Sequence, residues 1–381
     1  MKKILLIHNT YKNIGGEDIA VENEIFFLKE YFEVETLYFS NKKLLSFQNV
    51  ISFLTGSNNK SNKILLKKIN EFKPDYAYVH NTWYNASLGI FKILSSRNIS
   101  VLLKLHNFRY FCTRSIFSVD HFGKNTICHA CGSNKDDQGF FNRYFEDSII
   151  KSILVALYGK RYFKLINTFN MKILVLTKFH KTFLQDLSID AEKISVFPNY
   201  IQTKAKSSEK KENTVVYAGR VSQEKGVEEL IEAFINTDNI NNVTLKIIGD
   251  GPKLAYLKKK YPHPLVNFLG VISNKEVLDH ISSSLAVVTA TKMFEGQPTL
   301  LCEASSLGVP SIFPVSGGIG EFFPSDYCLS YDQFNYGELT RKLEMIFDKN
   351  FAKNIGNENF LFLEKYLSMK ELHYSINKIL L

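Results

Sequence analysis

Short runs of β-branched and aromatic residues alternate with stretches of helical periodicity along most of the chain, and they do so in two series. The first series is Lys3–His8, Val34–Phe39, Tyr76–Asn81, Ser100–Asn107, Lys172–Thr177 and Ile194–Pro198. The second is Thr214–Gly219, Val243–Gly249, Val266–Leu269, Ala286–Thr289, Pro310–Pro314 and Tyr327–Ser330. Strands separated by helix-length segments pair in parallel, because each helix carries the chain back to the edge where the last strand began. Between the series lies Thr203–Asn213, a charged segment without a large apolar residue, which reads as a linker. The expected class is α/β: two tandem, doubly wound, Rossmann-like domains facing each other across a cleft. Their predicted limits are residues 1–200 and 201–360, with 361–381 an amphipathic C-terminal helix able to pack back on the first domain. The 381 residues are 45% hydrophobic, with 31 Phe and 19 Tyr, which is enough apolar surface for two cores and excludes a disordered chain. Ligands of such domains bind beyond the C-terminal ends of the strands, so the residues there carry the functional reading.

Three groups stand at successive strand ends of the second series. Ala218-Gly219-Arg220 ends one strand and leads through Lys225-Gly226 into a helical stretch, so Arg220 and Lys225 can hold a diphosphate at the mouth. Gly249-Asp250-Gly251-Pro252 ends the next, and Gly249 and Gly251 let a ring or phosphate approach the backbone. After a further strand comes Phe294-Glu295-Gly296-Gln297-Pro298-Thr299, continuing to Glu303-Ala304. Pro suits a first helical turn, which sets Glu303 inside a helix and Glu295 in the loop before it. The stretch Gly296, Gln297, Pro298, Thr299 then offers a helix N-terminus to a phosphate, with a carboxylate on either side for hydroxyl groups. A sugar, a diphosphate and a ribose together would fill such a receptor. Glu295 and Glu303 alone would read as surface carboxylates of an ordinary amphipathic helix. Because both belong to one loop and helix, they do not flank a bond as the acid and nucleophile of a glycosidase do.

Taken in this order, the motifs resemble those of the family 4 glycosyltransferases, over about residues 172–325 and more weakly in the first half. There Asn9-Thr10-Tyr11 with Gly15-Gly16-Glu17-Asp18 looks like the family's glycine-rich loop, and Pro198-Asn199 like its interdomain turn, with Tyr200 in place of Gly. The resemblance implies the GT-B fold, transfer with retention of anomeric configuration, and no required metal cofactor. It implies a nucleotide diphosphate sugar as donor, a UDP- or GDP-sugar foremost. Residue by residue, it implies that Arg220 and Lys225 bind the diphosphate, Glu295 the sugar hydroxyls and Glu303 the ribose. His106, which ends the strand Val101–Leu105, would contact the donor sugar near the reaction centre; a hydrogen-bonded structural histidine is the alternative. The leaving diphosphate mainly needs charge stabilisation, for which Arg220, Lys225, the Gly15 and Gly16 amides and a helix N-terminus are suited.

The charge is uneven. Residues 1–200 hold 27 Lys and Arg against 17 Asp and Glu, whereas 201–381 hold 20 against 21. A basic first half suits an anionic partner: an anionic membrane surface, or a lipid-linked or oligosaccharide acceptor of surface-polysaccharide assembly. Ser148–Lys172 and Asn59–Phe72 are its basic, amphipathic stretches, the second bearing Lys60, Lys63, Lys67 and Lys68; the alternative, and the commoner outcome, is that the apolar face packs on the sheet and the lysines are simply solvated. No nucleic acid is expected, since no zinc finger, helix-turn-helix or aromatic RNA platform is present. A nucleotide-sugar epimerase of the same fold is the competing enzyme reading. Cys112, Cys128 and Cys131 would supply three of the four ligands of a structural zinc site, with His121 or His129 as the fourth; buried thiols without a metal are the more ordinary reading. With no signal-peptide core and no run of about 18 apolar residues, a cytoplasmic protein, peripheral on the inner face of the membrane, is expected.

Overall fold

The computed structural model describes residues 1–10, 16–40, 52, 55–82, 85–108, 149–202, 211–238 and 242–381, the side chains of 149–156 aside. The chain divides into two units, Met1–Tyr200 with Met369–Leu381, and Ile201–Ser368.

In the first unit six strands, β1 (Lys3–Thr10), β2 (Glu33–Ser40), β3 (Tyr76–Val79), β4 (Ser100–Leu105), β5 (Lys172–Val175) and β6 (Ile194–Val196), form a sheet of order β2-β1-β3-β4-β5-β6. The pairings are parallel. Helices α1 (Gly16–Lys29), α2 (Asn59–Phe72), α3 (Gly89–Ser96), α4 (Ile149–Thr168) and α5 (Lys178–Asp186) lie between them in the chain. Alternate residues of each strand supply opposite faces of the sheet. Leu5, Ile7, Val79, Leu103 and Ile173 pack under α2, α3 and α4; Ile4, Leu6, Tyr78, Leu102 and Leu174 pack under α1. Sequence-encoded caps fix the helix starts: the Asn58 side chain accepts from the amides of Lys60 and Ser61, and Thr177 from that of His180.

The second unit repeats the plan. Strands β7 (Thr214–Ala218), β8 (Thr244–Ile248), β9 (Val266–Gly270), β10 (Ala286–Val288), β11 (Ser311–Val315) and β12 (Ser330–Asp332) run in the order β12-β11-β10-β7-β8-β9. Helices α6 (Val227–Ile235), α7 (Leu254–Lys260), α8 (Asn274–Ser283), α9 (Thr299–Ser306), α10 (Tyr336–Met345) and α11 (Lys349–Tyr366) accompany them, α8 opened by a Ser273–Glu276 capping box. The expected class, tandem Rossmann-like units, is met. Each sheet reverses its winding once, between β1 and β3 and between β7 and β10. A crevice opens at such a point, which makes it the place to look for a ligand.

Two expectations are corrected. The last strand starts at Ser330 rather than Tyr327, because Tyr327 is held out of the ladder: its hydroxyl accepts from Ser311 N (2.9 Å) and donates to Ser311 O (2.6 Å). The C-terminal segment is not one helix from 361. It breaks at Leu367–Ser368, because α11 buries Leu363 in the core of the second unit, whereas α12 (Met369–Ile379) buries Leu372 and Ile376 beside Phe27 and Phe32 of the first.

Candidate active site

At the reversal of the second sheet, the loops after β7, β8 and β10 converge. Val221 N donates to Asp250 O (2.9 Å) and Lys253 N to Val221 O (3.1 Å), which ties the Arg220 loop to the Gly249–Gly251 turn. That closeness is why glycine stands there: a Cβ on Gly249 would come within 1.9 Å of Gly219 O, and one on Gly226, at φ +65°, within 1.9 Å of Ala290 O. Lys225 Nζ donates to Glu295 Oε1 at 2.5 Å, and Thr291 Oγ1 to the same oxygen at 3.0 Å. Glu295 Oε2 makes no hydrogen bond among the described residues. Glu295 itself is anchored by its backbone, whose carbonyl accepts from Gly318 N (2.8 Å). Lys225 and Glu295 side chains are 28% and 27% exposed, so the pair is open to a solute. Arg220 is exposed and forms no ion pair among the described residues, while its carbonyl accepts from the buried Tyr217 hydroxyl at 2.8 Å.

Pro298 is the cap of α9 and gives it no side-chain hydrogen bond, so the first-turn amides of Thr299 and its neighbours keep their partial positive charge for an external acceptor. Glu303 lies half-buried one turn further along, as the spacing predicts. Gly296 is buried, and so is Gln297, whose side chain lies against Cys302, 4.0 Å from Sγ. The structure therefore brings Arg220, Lys225, Gly249, Gly251, Glu295, Gly296, Pro298, Thr299 and Glu303 to one sheet end.

At the reversal of the first sheet, His8 lies in the last three residues of β1, His80 follows β3 and His106 follows β4. His80 Nδ1 and His106 Nε2 are 2.7 Å apart and share one hydrogen. Behind them Glu24 of α1 is fully buried and accepts from Tyr78 Oη at 2.7 Å and from Lys104 Nζ, both at Oε1. Burial pushes the Glu24 carboxyl up and the Lys104 ammonium down, each opposed by the other's charge. The imidazoles of His80 and His106 are pushed well below 6.5, first by burial and then by neighbouring positive charge, and so stay neutral at neutral pH. Ligand atoms of Glu24, His80 and His106 lie within 4.8 Å of one another, close enough for a metal ion, but the Lys104 ammonium on Glu24 already supplies the cation there.

This network is what reading the sequence missed, apart from His106. Its signal was Lys104, a lone charge in the apolar strand Val101–Leu105. Gly16 opens α1, yet Glu17 and Asp18 fill the first turn, with Asp18 paired to His8 (3.0 Å) and Glu17 accepting from Asn107 Nδ2 (3.1 Å). Carboxylates there already take the positive end of the helix, which leaves little room for a phosphate. Gly15 and the cysteines Cys112, Cys128 and Cys131 lie outside the described residues; Cys302 and Cys328 are free thiols. Among the described residues, no helix is long and apolar enough to cross a membrane.

Residues 200–361 match the family described as glycosyl transferases group 1. Over 150 residues the chain is 27% identical to the amylovoran biosynthesis glycosyltransferase AmsD of Erwinia amylovora, covering 39% of this chain and 42% of that one. Over 104 residues it is 35% identical to a GDP-mannose-dependent alpha-mannosyltransferase of Corynebacterium glutamicum, covering 27% of this chain and 24% of that one. The chain thus spans less than half the length of these curated relatives. Among solved structures, HepE of Anabaena in complex with UDP and glucose superposes with a TM-score of 0.69 at 16% identity, covering 100% of this chain and 99% of that one, a likeness that shows the two-unit fold.

Proposed function

We propose that the protein is a retaining glycosyltransferase of family 4 type. It would move a sugar from a nucleoside diphosphate sugar to a lipid-linked or oligosaccharide acceptor in the assembly of a surface polysaccharide. The observation that carries this reading is the Lys225–Glu295 pair beside the Pro298-capped end of α9, with exposed Arg220 close by in sequence. A cation, a second cation and free amides suit a diphosphate that gains charge as it leaves. Glu295, held by Lys225 through one oxygen, keeps the other for a sugar hydroxyl, and Glu303 is the counterpart for the ribose. His106 would meet the donor sugar as a neutral ring. Arg220 and Lys225 supply the positive charge, so turnover is expected without added divalent metal. The matches to polysaccharide-assembling glycosyltransferases support the reaction class.

The acceptor side falls to the basic first unit. A cavity of about 480 Å³ is lined there by Lys92, Arg161 and Lys164 beside Leu88, Ile93 and Leu165, which suits an amphiphile with an anionic head. Such a protein would work on the inner face of a membrane without spanning it.

Thermal protection and hydrolysis of UDP-, GDP-, TDP- and ADP-sugars test the proposal. One donor class should protect the wild type and be turned over, and Glu295→Gln should lose both. If no nucleotide sugar protects or reacts, the reading is wrong. An epimeric nucleotide sugar appearing with no transfer to added acceptor would point to an epimerase instead.

A further inference from the structure

Two polar atoms at the first reversal point face each other without another partner. Glu24 Oε2 and His80 Nε2 are both buried, neither is hydrogen-bonded among the described residues, and they stand 3.7 Å apart. Glu24 Oε1 is already taken by two donors, the Tyr78 hydroxyl and the Lys104 ammonium. Lys104 is itself pinned over the Phe197 ring, 4.7 Å from its centre, and faces Pro198 O at 3.5 Å. Two donors on one oxygen favour an ionised carboxylate, and a carboxylate oxygen 3.7 Å from an imidazole nitrogen, beyond hydrogen-bond length, favours the tautomer that carries the hydrogen on that nitrogen. His80 therefore holds its proton on Nε2, and its Nδ1 is left as an acceptor. The partner of that acceptor, 2.7 Å away, is His106 Nε2, which must then be the donor. The His106 proton sits on Nε2, and Nδ1 keeps a bare lone pair.

We propose that His80 is a positioning residue: its Nδ1 fixes the ring and the tautomer of His106, with Glu24, Lys104 and Tyr78 setting the direction of the chain of hydrogen bonds. The assignment rests on His106 being the group that meets the donor sugar. It means that the half-buried ring offers the site an acceptor, suited to a sugar hydroxyl or to the proton of an incoming acceptor hydroxyl. Among the described residues, the other groups that bear on the two rings are the His180 imidazole, which acts on His106, and the His8 and Tyr78 rings. The His8 ring packs edge-on to His80 at 6.1 Å and is turned to Asp18, and Tyr78 packs against His80 at 4.7 Å.

The test reads the tautomer directly. Imidazole nitrogen NMR of the full-length protein should show His106 protonated at Nε2 and bare at Nδ1. His80→Leu keeps bulk and removes the acceptor, so both tautomers of His106 should appear. His80→Asn places an amide oxygen where Nδ1 stood and should restore the single tautomer. Glu24→Gln gives the most pointed outcome: its carbonyl still serves Lys104 and Tyr78, so its NH₂ turns to His80 and the whole chain reverses, leaving the proton on His106 Nδ1. In turnover of the protecting nucleotide sugar, His80→Leu should lower kcat about tenfold with donor KM little changed, and His80→Asn should recover it. A wild-type His106 protonated at Nδ1, or a tautomer unmoved in both His80→Leu and Glu24→Gln, overturns the proposal. If His106→Ala turns over normally, the role of His106 fails, while the nitrogen spectra still decide whether His80 orients it.

Discussion

Lys104–Glu24 in the first unit and Lys225–Glu295 in the second each stand where their sheet reverses, and the two pairs live in different solvents. Lys104–Glu24 is fully buried, flanked by Tyr78, Phe197 and imidazole rings. Lys225–Glu295 is about a quarter exposed and shares its carboxylate only with Thr291 among the described residues. A buried pair is costly to break because the survivor is left uncompensated, whereas an open pair can exchange partners with a passing ligand at little cost. The same two residue types thus make a rigid support in one unit and a replaceable contact in the other.

The contrast can be broken from either side. Lys104→Met should destabilise the protein by about 3–5 kcal/mol, since it strands the Glu24 carboxylate, and denaturant unfolding will measure it. Lys225→Met should cost under about 1 kcal/mol in the same assay, yet lower kcat/KM for the donor by about 10²–10³-fold. Comparable destabilisation by the two variants would erase the distinction.

Acid should separate the units further. Burial holds the His180 imidazole down at about 3, and those of His8, His80 and His106 are lowered too, all in the first unit. These groups are neutral in the fold and titrate near 6.5 once unfolded. The unfolded chain therefore gains protons as the pH drops below 6.5, and stability falls from there down towards 3. His180 alone accounts for about 2 kcal/mol lost at pH 5 relative to neutral pH. Hydrogen exchange at pH 7 and 5 should show the first unit opening preferentially; uniform protection would contradict it. The smallest expected effect is at the surface. Lys60 and Lys63 on α2 are exposed, unlike Lys68, which pairs with Glu35 at 2.6 Å. Replacing both with Gln should weaken flotation with acidic liposomes by at most about 1 kcal/mol per charge, and leave neutral liposomes unaffected.

Every strand but the last is legible in the sequence, because β-branched and aromatic residues with a polar boundary mark it locally. Reading the sequence located Arg220, Lys225, Glu295 and Glu303 because they follow strands, and a strand end is a definite place in this architecture. It missed Glu24, which lies on a helix, is paired with a lysine 80 residues away, and shows no local sign of burial. Tyr327 was misplaced for a related reason. A tyrosine in an apolar run looks like strand, and only the distant Ser311 backbone explains why it is not.

The helix Met369–Ile379 has a consequence for how the molecule is made. It belongs to the unit that begins at residue 1, although all of the other unit intervenes in the chain. Leu372, Ile376 and Leu380 cover part of the face formed by Ile4, Leu6 and Phe27. During synthesis that face must wait, uncovered, while some 170 further residues emerge and fold. A nascent chain stalled before residue 369 would display a sticky, half-finished sheet, so the unit built first is the one completed last.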